Sequence, residues 1–162
     1  MKGMGLVVLI PLIMMIRSDF RQREVNMYCL VCFGLWQFCY AYWLFGIHEI
    51  LKRGIINLGI LLFLGLGIVL YLKARRVRWA QVLHNYIGLG DILFFIFLIP
   101  VFKELEFPRF LMVSFIFSLI WWGVYSWRTK VLTIPLVSTV GICYVVLVVF
   151  RFLFDELKIQ LL

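Results

Sequence analysis

Apolar runs of membrane-spanning length recur along the whole chain, separated by short clusters of charged residues. An α-helix rises about 1.5 Å per residue, so about 20 apolar residues cross a hydrocarbon core of about 30 Å. The pattern predicts an all-α integral membrane protein, a compact bundle of six transmembrane helices that forms one domain over residues 1–162. The candidate spans are 3–16, 25–47, 54–72, 82–102, 110–127 and 131–150.

Composition agrees with this pattern. Hydrophobic residues make up 65% of the 162 residues and charged residues only 15%, whereas about 25% of the residues in a soluble domain are charged. The mean hydropathy is +1.06. No segment between the apolar runs is long enough to fold as a separate aqueous domain, so a soluble protein is excluded.

Topology explains the net charge of +8 better than a nucleic-acid partner does. Nine of the sixteen basic residues follow the first, third and fifth spans, and short cytoplasmic loops are enriched in Lys and Arg. The bias predicts a multi-pass protein of the cytoplasmic membrane with both termini outside. The nine residues are Arg17, Arg21, Arg23, Lys73, Arg75, Arg76, Arg78, Arg128 and Lys130.

Four cysteines lie inside apolar runs, at Cys29, Cys32, Cys39 and Cys143. Cys29 and Cys32 form a CxxC pair, but no second pair completes a zinc site. We interpret all four as apolar filler, because a free cysteine behaves as a small hydrophobic residue. No metal ion or cofactor is predicted.

Asp91 is the least expected residue, because it lies in the apolar run 82–102. An Asp at the centre of a membrane helix costs roughly 2.5 to 3.5 kcal/mol, and such residues usually serve function. The predicted orientation brings Asp19, at the end of the first span, to the same side of the membrane. Two facing carboxylates share a proton, so that one acts as a base and the other as an acid. This pairing of a base with an acid is the one that aspartic proteases use for peptide hydrolysis.

The structural alternative is that Asp19 only flanks a helix and that Asp91 pairs with a nearby Arg.

Three sequence elements resemble one protein family. Gly88-Leu89-Gly90-Asp91, which opens an apolar helix, resembles the GxGD signature of intramembrane aspartyl proteases. The segment from Asp19 to Asn26 resembles the D-x-R-x-x-x-I-P-N motif of the prepilin and preflagellin peptidase branch. Ile134-Pro135-Leu136-Val137-Ser138, followed by Gly141, resembles the Ile-Pro-containing entry to the last core helix of that branch. The ordered set covers the predicted six-helix core, in a short form that lacks the methyltransferase-type insertion of larger members.

The resemblance implies a catalytic pair, Asp19 and Asp91, that removes the N-terminal leader of type IV pilin-like or archaellin-like precursors at the cytoplasmic membrane face. We also assign Gly88, Gly90 and Pro135 to substrate binding. The precursor protein and the lipid bilayer are the expected partners.

Two positions differ from the family pattern, since Asn26 stands in place of a Pro and Leu93 in place of a frequent Lys. They motivate an alternative, a catalytically inactive prepilin-peptidase-like subunit that binds apolar helices. Paired carboxylates inside a membrane also occur in proton or cation transporters. That reading has less support, because the two aspartates lie at one side of the membrane and the chain shows no inverted repeat.

Overall fold

A computed structural model of the chain describes residues 7–22, 25–74, 88–129 and 136–160. Within these residues all regular structure is helical, which confirms the all-α prediction. The described residues form five α-helices and one short 3-10 helix. They are α1 (Leu9–Gln22), α2 (Met27–Ala74), α3 (Leu89–Leu98), the 3-10 helix (Ile99–Val101), α4 (Glu106–Thr129) and α5 (Leu136–Gln160).

Three of the described helices are long and apolar enough to cross a membrane, and they indicate a multi-pass membrane protein. The candidate spans are Met27–Tyr71, Glu106–Tyr125 and Leu136–Leu153, and a shorter apolar segment covers Leu89–Val101. Large apolar side chains are exposed along these helices, as expected where lipid takes the place of water. The six separate spans of the prediction are not seen in the described part of the chain.

The largest difference from the prediction concerns α2. We expected two spans, 25–47 and 54–72, joined by a charged loop, but the chain stays helical through the charged residues and departs from helical geometry at Gly46. Two contacts explain why no loop forms there. Arg53 Nε lies 3.4 Å from Glu49 Oε2, one helical turn earlier, and such pairs favour a helix. The Arg53 guanidinium also lies 3.9 Å from the centre of the Phe45 ring, across the break.

Other boundaries shift as well. Helix α1 continues beyond residue 16 to Gln22, so that Asp19 is helical, and α4 includes all of the predicted span 110–127. Helix α5 extends to Gln160, past the predicted end at residue 150. Parts of three predicted spans, residues 3–6, 82–87 and 131–135, lie outside the described residues.

The chain forms two compact units. The first comprises Met1–Phe33 and Leu111–Leu162. Here Val8, Leu12, Met15 and Asp19 are buried at helical spacing, which defines one inward stripe that continues along α1. Helix α1 packs against α5 at Gly141, where an added Cβ would lie 3.0 Å from Ile16 Cγ1 and 3.4 Å from Leu12 Cδ1. A small residue at that position lets the two helices approach closely.

In the second unit, Gly34–Phe110, α2 contacts α3 and the 3-10 helix at two points. A Cβ added to Gly34 would lie 2.6 Å from the Phe97 ring, so only glycine fits beneath that ring. The buried Asn57 donates from Nδ2 to the carbonyl oxygens of Ile99, at 3.2 Å, and Phe102, at 3.0 Å. These two bonds satisfy backbone acceptors at and just beyond the 3-10 helix, where Pro100 prevents a regular helical pattern.

Candidate active site

Asp19 lies in the last turn of α1, at the end of the buried stripe of that helix. Only 6% of its surface is exposed. A carboxylate at this position faces the negative end of its own helix dipole, which is unfavourable. Its burial therefore requires donors from elsewhere in the fold.

Ser138 supplies these donors from the start of α5. Its backbone N–H donates to Asp19 Oδ2 at 2.8 Å, and its hydroxyl donates to the same oxygen at 2.6 Å. The first N–H groups of a helix have no partner within the helix, and they form the positive end of its dipole. The start of α5 thus offsets the unfavourable end of α1.

The Ser138 hydroxyl has a second acceptor within reach. Its Oγ lies 3.2 Å from the carbonyl oxygen of Ile16, one turn before Asp19 on α1. A hydroxyl has a single proton, so it donates to one of these two oxygens at a time. The bond to the carboxylate is the shorter one, and hydrogen bonds to a charged acceptor are the stronger ones. Among the described residues, no hydrogen bond reaches the other carboxylate oxygen, Asp19 Oδ1.

A second buried polar contact lies beside this one, between α4 and α5. Ser118 Oγ donates to the carbonyl oxygen of Ser114 at 2.7 Å, and lies 2.6 Å from Thr139 Oγ1. The sequence places Ser138 in the third motif element but does not indicate its role, and it does not point to Ser118 or Thr139. The available signal was the presence of small hydroxyl residues within otherwise apolar runs.

Asp91 lies in the second unit, in the first turn of α3. Gly88 precedes the helix in an extended conformation, with φ −73° and ψ 137°. The backbone N–H groups of Asp91 and Ile92 donate to its carbonyl oxygen at 3.1 and 3.3 Å. A carboxylate at a helix N-terminus is in a favourable position with respect to the dipole.

The Gly88 position is close to the Asp91 side chain. A Cβ added to Gly88 would lie 3.1 Å from Asp91 Oδ2, so glycine leaves room for that carboxylate. Gly90 is itself part of α3 and is half-buried. Of the two glycines, only Gly88 departs from helical geometry, and their assignment to substrate binding stays a prediction.

The two aspartates belong to different compact units, Asp19 to the first and Asp91 to the second. Their pairing as a dyad therefore stays a prediction. Pro135, the third residue assigned to substrate binding, lies outside the described residues.

Asn26, one of the two departures from the family pattern, begins α2. Its Oδ1 accepts a hydrogen bond from the backbone N–H of Tyr28 at 3.0 Å, and its carbonyl oxygen accepts one from Leu30 at 3.0 Å. This is the geometry of a helix N-cap. The other departure, Leu93, is half-buried within α3.

Comparison of the chain with protein-family models, with curated proteins and with solved structures finds no match. The functional hypothesis therefore depends on the residues themselves. They offer one buried carboxylate held between α1 and α5 and a second in the first turn of α3.

Proposed function

We propose that the protein is an intramembrane aspartic endopeptidase that removes the N-terminal leader of type IV pilin-like or archaellin-like precursors. The burial of Asp19 carries this proposal. A carboxylate that is 6% exposed, on an apolar helix, is maintained by two donors from a residue 119 positions later in the chain. Ionisable groups in such surroundings are costly and usually functional. The GxGD sequence at Asp91 supplies the second carboxylate.

The proposed reaction uses the two carboxyl groups in opposite roles. The ionised group removes a proton from a water molecule while the water oxygen attacks the scissile carbonyl carbon, and the protonated group donates its proton to the carbonyl oxygen. The tetrahedral intermediate then collapses with cleavage of the C–N bond. The leaving nitrogen takes the proton held by the first carboxyl group, and one hydroxyl of the intermediate returns a proton to the second. The products are a new carboxyl group and a new amine, and no metal ion or cofactor takes part.

The expected substrate has an apolar helix that follows a short basic leader. The apolar helix would lie in the bilayer beside the protein, while the leader stays in the cytoplasm. In the proposed orientation both termini of the enzyme lie outside, which places the end of α1 and Asp19 near the cytoplasmic face. The distribution of basic residues supports this orientation.

Substitution of either aspartate tests the proposal. Asp19→Asn and Asp91→Asn retain size and remove the exchangeable carboxyl group, so cleavage of a co-expressed pilin-like precursor should fall by about 10²- to 10⁴-fold. The measurement is the ratio of mature to precursor protein on a gel. Glu104→Gln is a suitable control, because it also replaces a carboxylate by an amide. Glu104 forms an ion pair with Lys52 at 3.3 Å in the second unit and has no role in the proposed reaction. Unchanged processing in either aspartate variant, with membrane insertion intact, would exclude the catalytic assignment.

A second candidate, a non-catalytic subunit that binds apolar helices, is favoured by one observation. The two hydrogen bonds from Ser138 are sufficient to explain Asp19 as a link between α1 and α5. Purified wild-type protein that binds a pilin-like precursor without cutting it, under conditions in which a known peptidase of this kind cuts it, would support this candidate.

A further inference from the structure

We infer that Ser138 is a positioning residue of the proposed reaction. It holds one oxygen of the Asp19 carboxylate and leaves the other oxygen to exchange a proton with the reacting water. This inference rests on the proposed function, and it adds a residue to which neither the motifs nor the two-aspartate chemistry assigns a role.

The geometry of the contact carries the inference. Two donors from one residue converge on Asp19 Oδ2, at 2.8 Å from the backbone and 2.6 Å from the hydroxyl. The backbone donor is part of α5 and cannot turn, so it fixes the position of the oxygen relative to that helix. The hydroxyl approaches the same oxygen as a second donor, and the pair restricts rotation of the carboxylate. Rotation of the carboxylate by half a turn only exchanges its two equivalent oxygens. In either position one oxygen accepts the two bonds from Ser138 and the other oxygen does not.

The Ile16 carbonyl oxygen gives the same hydroxyl an alternative partner. We assign the role of the base to Asp19. When it takes a proton from the attacking water, its negative charge is lost and the bond to Oδ2 becomes weaker. The Ser138 hydroxyl can then turn towards Ile16, whose oxygen lies 3.2 Å from Oγ. The hydroxyl thus keeps an acceptor in both protonation states of Asp19. No proton leaves Ser138 in this movement, so the stoichiometry of hydrolysis does not change.

Burial makes this role sensitive to mutation. Ser138 is fully buried, and a buried polar atom that loses its partner has no bulk water to replace it. In Ser138→Ala the backbone N–H remains, so the carboxylate keeps one of its two donors. The variant therefore keeps the Asp19 carboxylate but loses the hydroxyl that helps to orient it.

Kinetics of precursor cleavage give the first test. Ser138→Ala loses a hydrogen bond to a charged group, and this loss should lower kcat by about 10- to 100-fold. The KM should change by less than about threefold. Ser138→Thr retains the hydroxyl and should recover most of the lost rate. Ser118→Ala is the matched control, because it also removes a buried hydroxyl that contacts another helix, here Thr139 of α5. The kcat of this variant should change by less than about threefold. A kcat for Ser138→Ala equal to that of Ser118→Ala would overturn the inference.

An infrared measurement separates this inference from the proposed function. With ¹³C-labelled aspartate, the carboxylate band that disappears in Asp19→Asn is assigned to Asp19. Ser138→Ala should shift this band, whereas Ser118→Ala should leave it in place. If the wild-type protein does not cleave precursors, the proposed function fails, but the band still reports whether the hydroxyl orients the carboxylate. An unshifted band in Ser138→Ala rejects the positioning role whatever the activity.

Discussion

Asn26 illustrates how one polar side chain can set where a membrane helix begins. Its Oδ1 and its carbonyl oxygen accept hydrogen bonds from Tyr28 and Leu30, so it satisfies two backbone donors at the start of α2. The pattern that this segment resembles has a Pro at this position, and Pro has no side-chain acceptor for such a bond. Asn26 thus has a structural role of its own, and it is weaker evidence for an inactive protein than the motif comparison alone indicates.

Removal of this cap should weaken the helix start. We expect Asn26→Ala to lower stability by about 1 kcal/mol, because the side-chain acceptor of the N-cap is lost. Asn26→Ser keeps an acceptor at the same position and should be close to the wild type. Thermal unfolding in detergent, followed by circular dichroism, provides the comparison. Equal midpoints for the Ala and Ser variants would show that the side-chain bond contributes nothing.

At this scale the sequence predicted which aspartates to consider but not what binds them. The spacing of Val8, Leu12 and Met15 continues to Asp19, so the burial of that carboxylate follows from helical periodicity. Its partner Ser138 is 119 residues away, and no local pattern relates the two. Contacts of this kind depend on how helices pack, which periodicity does not encode.

Helix α2 has the least expected element structure. A continuous helix of 48 residues would measure about 72 Å, more than twice the thickness of a hydrocarbon core of about 30 Å. Gly46 interrupts it with φ 73° and ψ 168°, a conformation that is almost restricted to glycine. The charged cluster after residue 47 led us to place a loop there. The charged residues lie close to the break in α2. The break itself is at Gly46, because glycine can adopt this backbone conformation.

Replacement of this glycine should therefore be costly even though space is available. No atom lies within 4 Å of a Cβ added to Gly46, so the cost of Gly46→Ala is conformational, of order 1 to 3 kcal/mol. Gly59→Ala is the matched control, because Gly59 is helical and its added Cβ also has open space. There the change should stabilise the helix by up to about 1 kcal/mol. The difference between the two thermal midpoints measures the strain, and midpoints that rise together would contradict the assigned backbone conformation.

For the molecule as a whole, length and composition were sufficient to predict helices and a membrane environment. They were not sufficient to count the spans, because the positions where helices start and end depend on single residues such as Asn26 and Gly46. The division into two compact units was also not predicted. The second unit, for example, contains the contact of Gly34 with Phe97. These two residues belong to different apolar runs of the sequence, and the pattern of either run does not predict their contact.

The proposed orientation can be tested at this same scale. Exchange of Arg75, Arg76 and Arg78 for Gln removes three of the nine basic residues assigned to the cytoplasmic side. We expect a mixture of orientations to result, because Lys and Arg near the ends of spans determine topology. Access of an impermeant thiol reagent to a cysteine added at the C-terminus measures the mixture. Lys52→Gln with Lys103→Gln, on the opposite side, should leave a single orientation. A reagent-inaccessible C-terminus in the wild type would refute the orientation.

The bond between Asp19 and Ser138 also has a consequence for how the protein is made. Chains are synthesised from the N-terminus, so Asp19 enters the membrane long before its donors on α5 exist. Until then a carboxylate at the end of α1 lacks the partners that later bury it. The proposed catalytic group is thus complete only after α5 has been synthesised and has packed against α1.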